Sequence, residues 1–322
     1  MRIIGIGNAL VDIMVRLEDE AMLGNFSLPK GSMQLVNEER AEHVKSGTSH
    51  LERSVSPGGS IANTIHTLGV LGARPGYIGS VGNDETGRFF TSELELAGVV
   101  PYMFQRESAT GTAVALVTPD SERTFAVHLG AAVELAASEL NEAMFKGFDI
   151  LYLEGYLIIN YDLTLRACRI AKSLGLKVAL DLASYNVVEA NRAQFEEIID
   201  GYVDILFANE DEAKAISGKE AEEAAGILSE KCQVVVVKTG SKGSLIRRGE
   251  EVIKVGVVPA KPIDTTGAGD MYAAGFLYGY ARGESLDRCG VFGALLAGHV
   301  IEVMGSKLPS DRWSLLKKEL LQ

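Results

Sequence analysis

The chain has 322 residues, 47% hydrophobic and 23% charged, with 43 acidic against 31 basic side chains and a formal net charge of −12. A protein of this length buries about three quarters of its extended surface, so it needs no disulfide staples. The 3 cysteines lack any C-x-x-C spacing that would suggest a zinc cage or a redox pair. The acidic balance disfavours a sequence-independent nucleic-acid partner, and no apolar run is long enough for a membrane span.

In chain order, Arg2–Gly7 reads as an apolar strand. Asn8 and Asp12 interrupt the apolar run that follows, and no small-residue cleavage site appears, so a cytoplasmic protein is expected. Further strands are predicted at Gly76–Ile78, Ile150–Leu153, Lys177–Asp181, Ile205–Ala208 and Val234–Lys238, several of them continuous apolar runs suited to burial on both faces. Helical spacing is predicted over Ile61–Leu71, Leu163–Leu174, Gln194–Asp200 and Asp211–Ser217. This alternation predicts an α/β protein with a mainly parallel central sheet, whose ligands gather at the carboxyl ends of its strands.

Short, partly alternating segments near 11–17, 32–36, 102–106, 111–118 and 123–128, with turn residues at Pro119-Asp120-Ser121, read as strands of a small inserted sheet. We therefore expect one domain over 1–322 with a β-sheet lid inserted from about 11–37 and 100–128. A lid would keep water from a reactive site.

Asp264-Thr265-Thr266-Gly267-Ala268-Gly269-Asp270 precedes a helix-like run. Glycines at a helix start let a ligand approach the backbone, where unpaired N–H groups and the helix dipole form an anion site. A carboxylate directly after such a site suits a base for a hydroxyl better than a phosphate ligand. Phosphoryl transfer to an alcohol needs both parts. A plain glycine turn with an Asp cap is the alternative.

Gly58-Gly59 opens the helix that carries Asn63. With Asn8 and Asp12, these residues supply bare backbone and short polar groups suited to a polyol, although a glycine turn alone explains the pair. Asn209-Glu210-Asp211-Glu212 reads as N-terminal capping when taken alone. Lys238-Thr239-Gly240-Ser241-Lys242-Gly243-Ser244 suits either a nucleotide or an ordinary hairpin turn. The Walker A pattern and a G-x-G-x-x-G after the first strand are both missing, which argues against a P-loop NTPase and a nicotinamide oxidoreductase.

In this order the pieces resemble the ribokinase-like sugar and nucleoside kinases, the PfkB carbohydrate kinase family, from Ile3 to about Pro309. The resemblance rests on Gly58 through Asn63, Gly79-Ser80-Val81-Gly82-Asn83-Asp84-Glu85-Thr86-Gly87, the Asn209…Glu212 motif and Asp264 through Asp270. It implies a three-layer α/β/α sandwich with a β-sheet lid and an ATP-dependent phosphotransferase acting on a hydroxymethyl group of an adenosine-like nucleoside or a free sugar. It implies Asp270 as catalytic base, with the amides of Gly267, Ala268 and Gly269 as the anion hole. Asn8, Asp12, Gly58, Gly59 and Asn63 would hold the acceptor, and Asn209, Thr239, Gly240 and Gly243 the ATP. Glu212 would organise Mg²⁺ through water, and Asp264 and Thr266 match positions that bind a monovalent cation, K⁺, in some members. Met33, Phe104 and Phe125 are candidate walls for a nucleoside base. Relatives act as monomers or as homodimers through the lid, and a regulator that binds nucleotide or sugar without turnover is the competing function.

Overall fold

The computed structural model describes residues 1–120 and 122–320; Ser121, in the predicted turn at 119–121, lies outside the described residues. The first eight strands are β1 (Ile3–Ile6), β2 (Leu10–Arg16), β3 (Met33–Leu35), β4 (Arg53–Gly58), β5 (Gly76–Gly82), β6 (Val100–Arg106), β7 (Gly111–Val117) and β8 (Arg123–His128). They are followed by β9 (Ile150–Glu154), β10 (Lys177–Asp181), β11 (Ile205–Asn209), β12 (Val234–Lys238), β13 (Ser244–Arg248) and β14 (Glu251–Val255).

A nine-stranded sheet runs in the order β14-β13-β12-β11-β10-β9-β1-β5-β6. From β6 to β12 every pairing is parallel, and only β13 and β14 fold back antiparallel. Successive residues of the central strands enter opposite cores, as the strand period requires. Ile3, Tyr152, Ala179 and Phe207 pack with Ile61, Ile65 and Phe276 on one side. Ile4, Leu151, Leu180 and Leu206 pack with Leu163, Ile198 and Leu228 on the other. The first core is covered by helices Ser60–Val70 and Ala268–Arg282, the second by Tyr161–Ser173, Arg192–Tyr202 and Ala221–Ser229. The result is the expected three-layer α/β/α sandwich.

Small residues in β1 and directly after it decide how closely the helix Ser60–Val70 approaches. A side chain at Gly5 would place its Cβ 2.6 Å from both Ile61 Cγ2 and Ile65 Cγ1, and one at Gly7 would lie 2.9 Å from Ile61 Cβ. The helix is thereby seated on the strand, with its first turn at the strand's carboxyl end.

A second, five-stranded sheet has the order β3-β8-β7-β2-β4. Its membership corrects the expected lid in two places. The segment 102–106 pairs in parallel with β5 and forms an edge of the large sheet, so the lid does not extend over 100–106 and Phe104 stands apart from Met33 and Phe125. An edge strand with one partly solvated face has the same mixed polarity as a small-sheet strand, so its residues alone do not assign it. Conversely, Arg53–Gly58 is a lid strand antiparallel to β2. Its Pro57 and Gly58 read as loop, but proline is compatible with an edge strand. Met33 and Phe125 are register partners across β3 and β8, and Met33 is 61% exposed.

Among the described residues no helix is long and apolar enough to cross a membrane.

Replacing Gly5 by Val should push the helix Ser60–Val70 off β1 and destabilise the fold by about 1–3 kcal/mol, the usual range for overpacking. Urea unfolding would show this as a lower midpoint at unchanged slope; a wild-type midpoint would mean that the helix is not pressed on the strand.

Candidate active site

The carboxyl ends of the parallel strands converge on the first turn of helix Ala268–Arg282, and several polar side chains stand there. Asn8 follows β1, while Glu154, Asp181, Asn209 and Lys238 close β9, β10, β11 and β12. This is where ligands of open α/β sheets bind, because the strand ends and neighbouring helix N-termini leave backbone groups unpaired.

Asp270 lies in the first turn of its helix, which starts from Gly267 in the left-handed region at φ 75°. A Cβ there would also lie 2.6 Å from Ser306 Cβ, so the turn depends on glycine twice. Ser60 Oγ donates to Asp270 Oδ1 at 2.7 Å and Asn63 Nδ2 donates to Oδ2 at 2.9 Å. Thr64 Oγ1 donates to the Asp270 carbonyl at 3.0 Å. Burial raises the Asp270 pKa above its ordinary value, and the bonds from Asn63 and Ser60 oppose that rise. The outcome is an oriented carboxylate of enhanced basicity. Of the three amides expected to form the anion hole, that of Ala268 donates to the Thr265 carbonyl at 3.2 Å.

On the side of the expected acceptor, Asp12 lies directly over Gly58, whose missing Cβ leaves room for the carboxylate. Gly59 has φ 91° and its position would bring any Cβ onto the Asn8 carbonyl, so only glycine fits without strain. Burial pushes the Asp12 carboxyl up to about 7, with Lys307 pulling it down and Asp270 adding to the rise. The Lys307 Nζ is buried without a hydrogen-bond partner among the described residues. Burial pulls its pKa down to about 8, against the attraction of Asp12, Asp270 and Glu93. The Asn8 amide donates to Glu154 Oε2 at 2.8 Å, and burial pushes Glu154 up to about 8. Asn63, expected to touch the acceptor, has its amide engaged at both ends, since Ser306 Oγ donates to its Oδ1 at 3.1 Å. In this arrangement it positions Asp270.

On the opposite side, Asn209 and Glu212 form a reciprocal capping box at the start of helix Glu210–Ser217. Each accepts the other's backbone N–H at 2.8 Å, and Asn209 Nδ2 donates to Glu212 Oε1 at 2.8 Å. The capping alternative is therefore realised. Burial pushes Glu212 up to about 7, opposed by Lys238. Among the described residues no group of three or more His, Cys, Asp or Glu side chains could hold a metal ion. The hairpin alternative for 239–243 is realised too: Thr239 N–H donates to the Gly243 carbonyl at 2.8 Å and β13 returns antiparallel to β12.

Lys238 and Asp181 are functional candidates to which the sequence reading gave no role, although Lys238 opens the quoted segment 238–244. Lys238 Nζ donates to Asp181 Oδ2 at 2.8 Å, and a Cβ on Gly269 would lie 3.3 Å from that ammonium. The cation thus borders the proposed anion hole. Burial disfavours its charge, but Asp181 and Glu212 outweigh burial and raise its pKa. The available signal was a lone lysine ending an all-valine strand. Ser60 stood inside a quoted motif, but its bond to a residue 210 positions away could not be read there.

Asp264 and Thr266, the expected monovalent-cation residues, are met by an arginine of the lid. Arg123 Nη1 donates to Asp264 Oδ1 and to Thr266 Oγ1. Asp264 Oδ1 also accepts the Thr266 amide at 2.7 Å, and its Oδ2 accepts the Gly305 amide at 2.8 Å.

Residues 35–313 match the model of the pfkB family carbohydrate kinases. The chain belongs to this family. It is 32% identical to a probable sugar kinase from Rhizobium etli, with a TM-score of 0.89 over 100% of this chain and 99% of that one. It is 34% identical to an adenosine kinase from Sinorhizobium meliloti, with a TM-score of 0.88 over 99% of each. A nucleoside kinase from Methanothermobacter thermautotrophicus is 31% identical over 78% of this chain and 80% of its own length. The protein is a PfkB-family sugar or nucleoside kinase, and the family's chemistry implies use of ATP.

Ser60→Ala removes a donor to the ionised form of Asp270, so the carboxyl should protonate at higher pH. The acid limb of kcat/KM should move up by about one unit, since a bond to a charged group is worth roughly one to two pKa units. A pH–rate profile whose acid limb stays in place would show that Asp270 is not the titrating group.

Proposed function

We propose that this kinase transfers the γ-phosphoryl group of ATP to a hydroxymethyl group of a nucleoside, adenosine-like in class, or of a free sugar, with Asp270 as general base. The observation that carries the reading is the carboxylate of Asp270, held by Ser60 and Asn63 in the first helical turn beside the amides of Gly267, Ala268 and Gly269. The likeness to the Sinorhizobium meliloti adenosine kinase and the pairing of Met33 with Phe125 in the lid favour a nucleoside.

Asn8, Asp12, Gly58 and Gly59 would orient the acceptor so that its primary hydroxyl faces Asp270. As the hydroxyl oxygen attacks the γ-phosphorus, its proton passes to Asp270 and the bond to the leaving ADP oxygen breaks. The anion-hole amides and the Lys238 ammonium stabilise charge on the transferred group. Asn209, Thr239, Gly240 and Gly243 would face the ATP. Mg²⁺, when bound with ATP, would neutralise phosphate charge. The buried Glu212 carboxylate, tied to Asn209, suits contact with such an ion through water, because Mg²⁺ dehydrates reluctantly.

ADP release with ATP, Mg²⁺ and a panel of nucleosides and sugars tests the reading and names the acceptor. No acceptor-dependent release with any compound would instead favour a regulator that binds nucleotide or sugar without turnover. Asp270→Asn should lower kcat by at least about 10², within the range of general-base contributions, while binding of ATP and acceptor persists; near-normal turnover would overturn the role of Asp270.

Lys238→Met should lower kcat/KM by at least about tenfold, as expected for loss of a charge-assisted contact, with partial recovery in Lys238→Arg. Equal activity of both variants, at any level, would reduce Lys238 to a structural partner of Asp181.

A further inference from the structure

The loop 264–267 carries a buried charge that requires a counterion. The Asp264 side chain is 1% exposed, and its neutral donors are the amides of Thr266 and Gly305. Amide donors orient a carboxylate but bring no net charge, and an unpaired buried carboxylate is strongly destabilising. Arg123, on lid strand β8, forms the ion pair with Asp264 and donates to Thr266 Oγ1 with the same nitrogen.

These are the two side chains that a monovalent cation would use here. The guanidinium is larger than such an ion, permanently charged, and engaged on both oxygens, so the two would compete for one volume. With Arg123 in place, the residues do not fit a monovalent cation.

We propose that Arg123 is the built-in cation of this site: its guanidinium takes the place of a monovalent cation at Asp264 and Thr266 and makes the catalytic loop independent of potassium. The same contact links the lid to the anion hole. Asp264 ties the loop to Gly305, and the adjacent Ser306 both packs against Gly267 and donates to Asn63, which holds Asp270. Departure of β8 from the loop would remove the countercharge from Asp264, so a seated lid stabilises the loop geometry from which the amides of 267–269 project. The catalytic part of this inference rests on the proposed phosphotransfer; the ion-site part does not.

The test compares wild type, Arg123→Ala and Arg123→Gln in potassium, sodium and choline chloride at equal ionic strength, by thermal unfolding and by acceptor-dependent ADP release. Wild type should be indifferent to the cation. Arg123→Ala should unfold at lower temperature in choline and recover about 1.5 °C or more in potassium, the shift expected for roughly 1 kcal/mol in a chain of this size. Its kcat/KM should rise about tenfold or more with potassium, a modest part of the penalty of an unpaired buried carboxylate. Arg123→Gln keeps hydrogen-bond donors without the charge and poses the same question if Arg123→Ala fails to fold. Variants that respond to potassium no differently from wild type, whether all respond or none does, overturn the proposal. Because thermal unfolding needs no turnover, failure of the kinase reading would appear separately, as a wild type without ADP release in any salt.

Discussion

The arrangement of the site depends on one contact, between the first turns of helices Ser60–Val70 and Ala268–Arg282. There Ser60 and Asn63 hold both oxygens of Asp270, and Thr64 holds its backbone carbonyl. That contact requires the first helix to lie deep on β1, which Gly5 and Gly7 permit, and the second to start from a left-handed Gly267 pressed against Ser306. The carboxylate is thus oriented by the protein's own side chains, and groups held in this way reduce the reorganisation that a reaction would otherwise require.

A second constraint is the crowding of buried carboxylates at the strand ends. Asp12, Glu154, Glu212 and Asp270 all have raised pKa values, with burial as the leading cause. Lys238 and Lys307 stand among them, one bound to Asp181 and the other without a hydrogen-bond partner among the described residues. The formal charge of −12 therefore says little about ligand charge. The proposed phosphate site, built from amides and one buried ammonium, would accommodate an anion within an acidic protein, because local fields at short range outweigh screened surface charge.

The lid enters the same network through Arg123. A lid that merely covered a pocket would contribute apolar contact and exclude water. Arg123 instead reaches the buried Asp264, whose bonds extend to Gly305 and whose neighbour Ser306 touches Asn63. Lid position and the geometry of Asp270 are therefore parts of one polar chain, and charge is the currency of their coupling.

The alternation of apolar runs and helical spacing was enough to determine the three layers, because burial on both faces leaves strands such as Val234–Lys238 with no polar alternation. The glycines before Ser60 and Asp270 likewise revealed the two helix starts, since positive φ at Gly59 and Gly267 is costly for other residues. The residues of 102–106 read as a small-sheet strand and those around Gly58 as a turn, and the fold reversed both, because an edge strand looks alike in either sheet. Sequence left open whether Asn209 and Glu212 form a cap, and tertiary structure supplied that box. Only the folded chain could bring Lys238 beside Gly269 and Arg123 onto Asp264, pairs 31 and 141 residues apart. Local patterns encode backbone conformation and burial; the partner of a buried charge is decided by which strand ends and loops the fold makes neighbours.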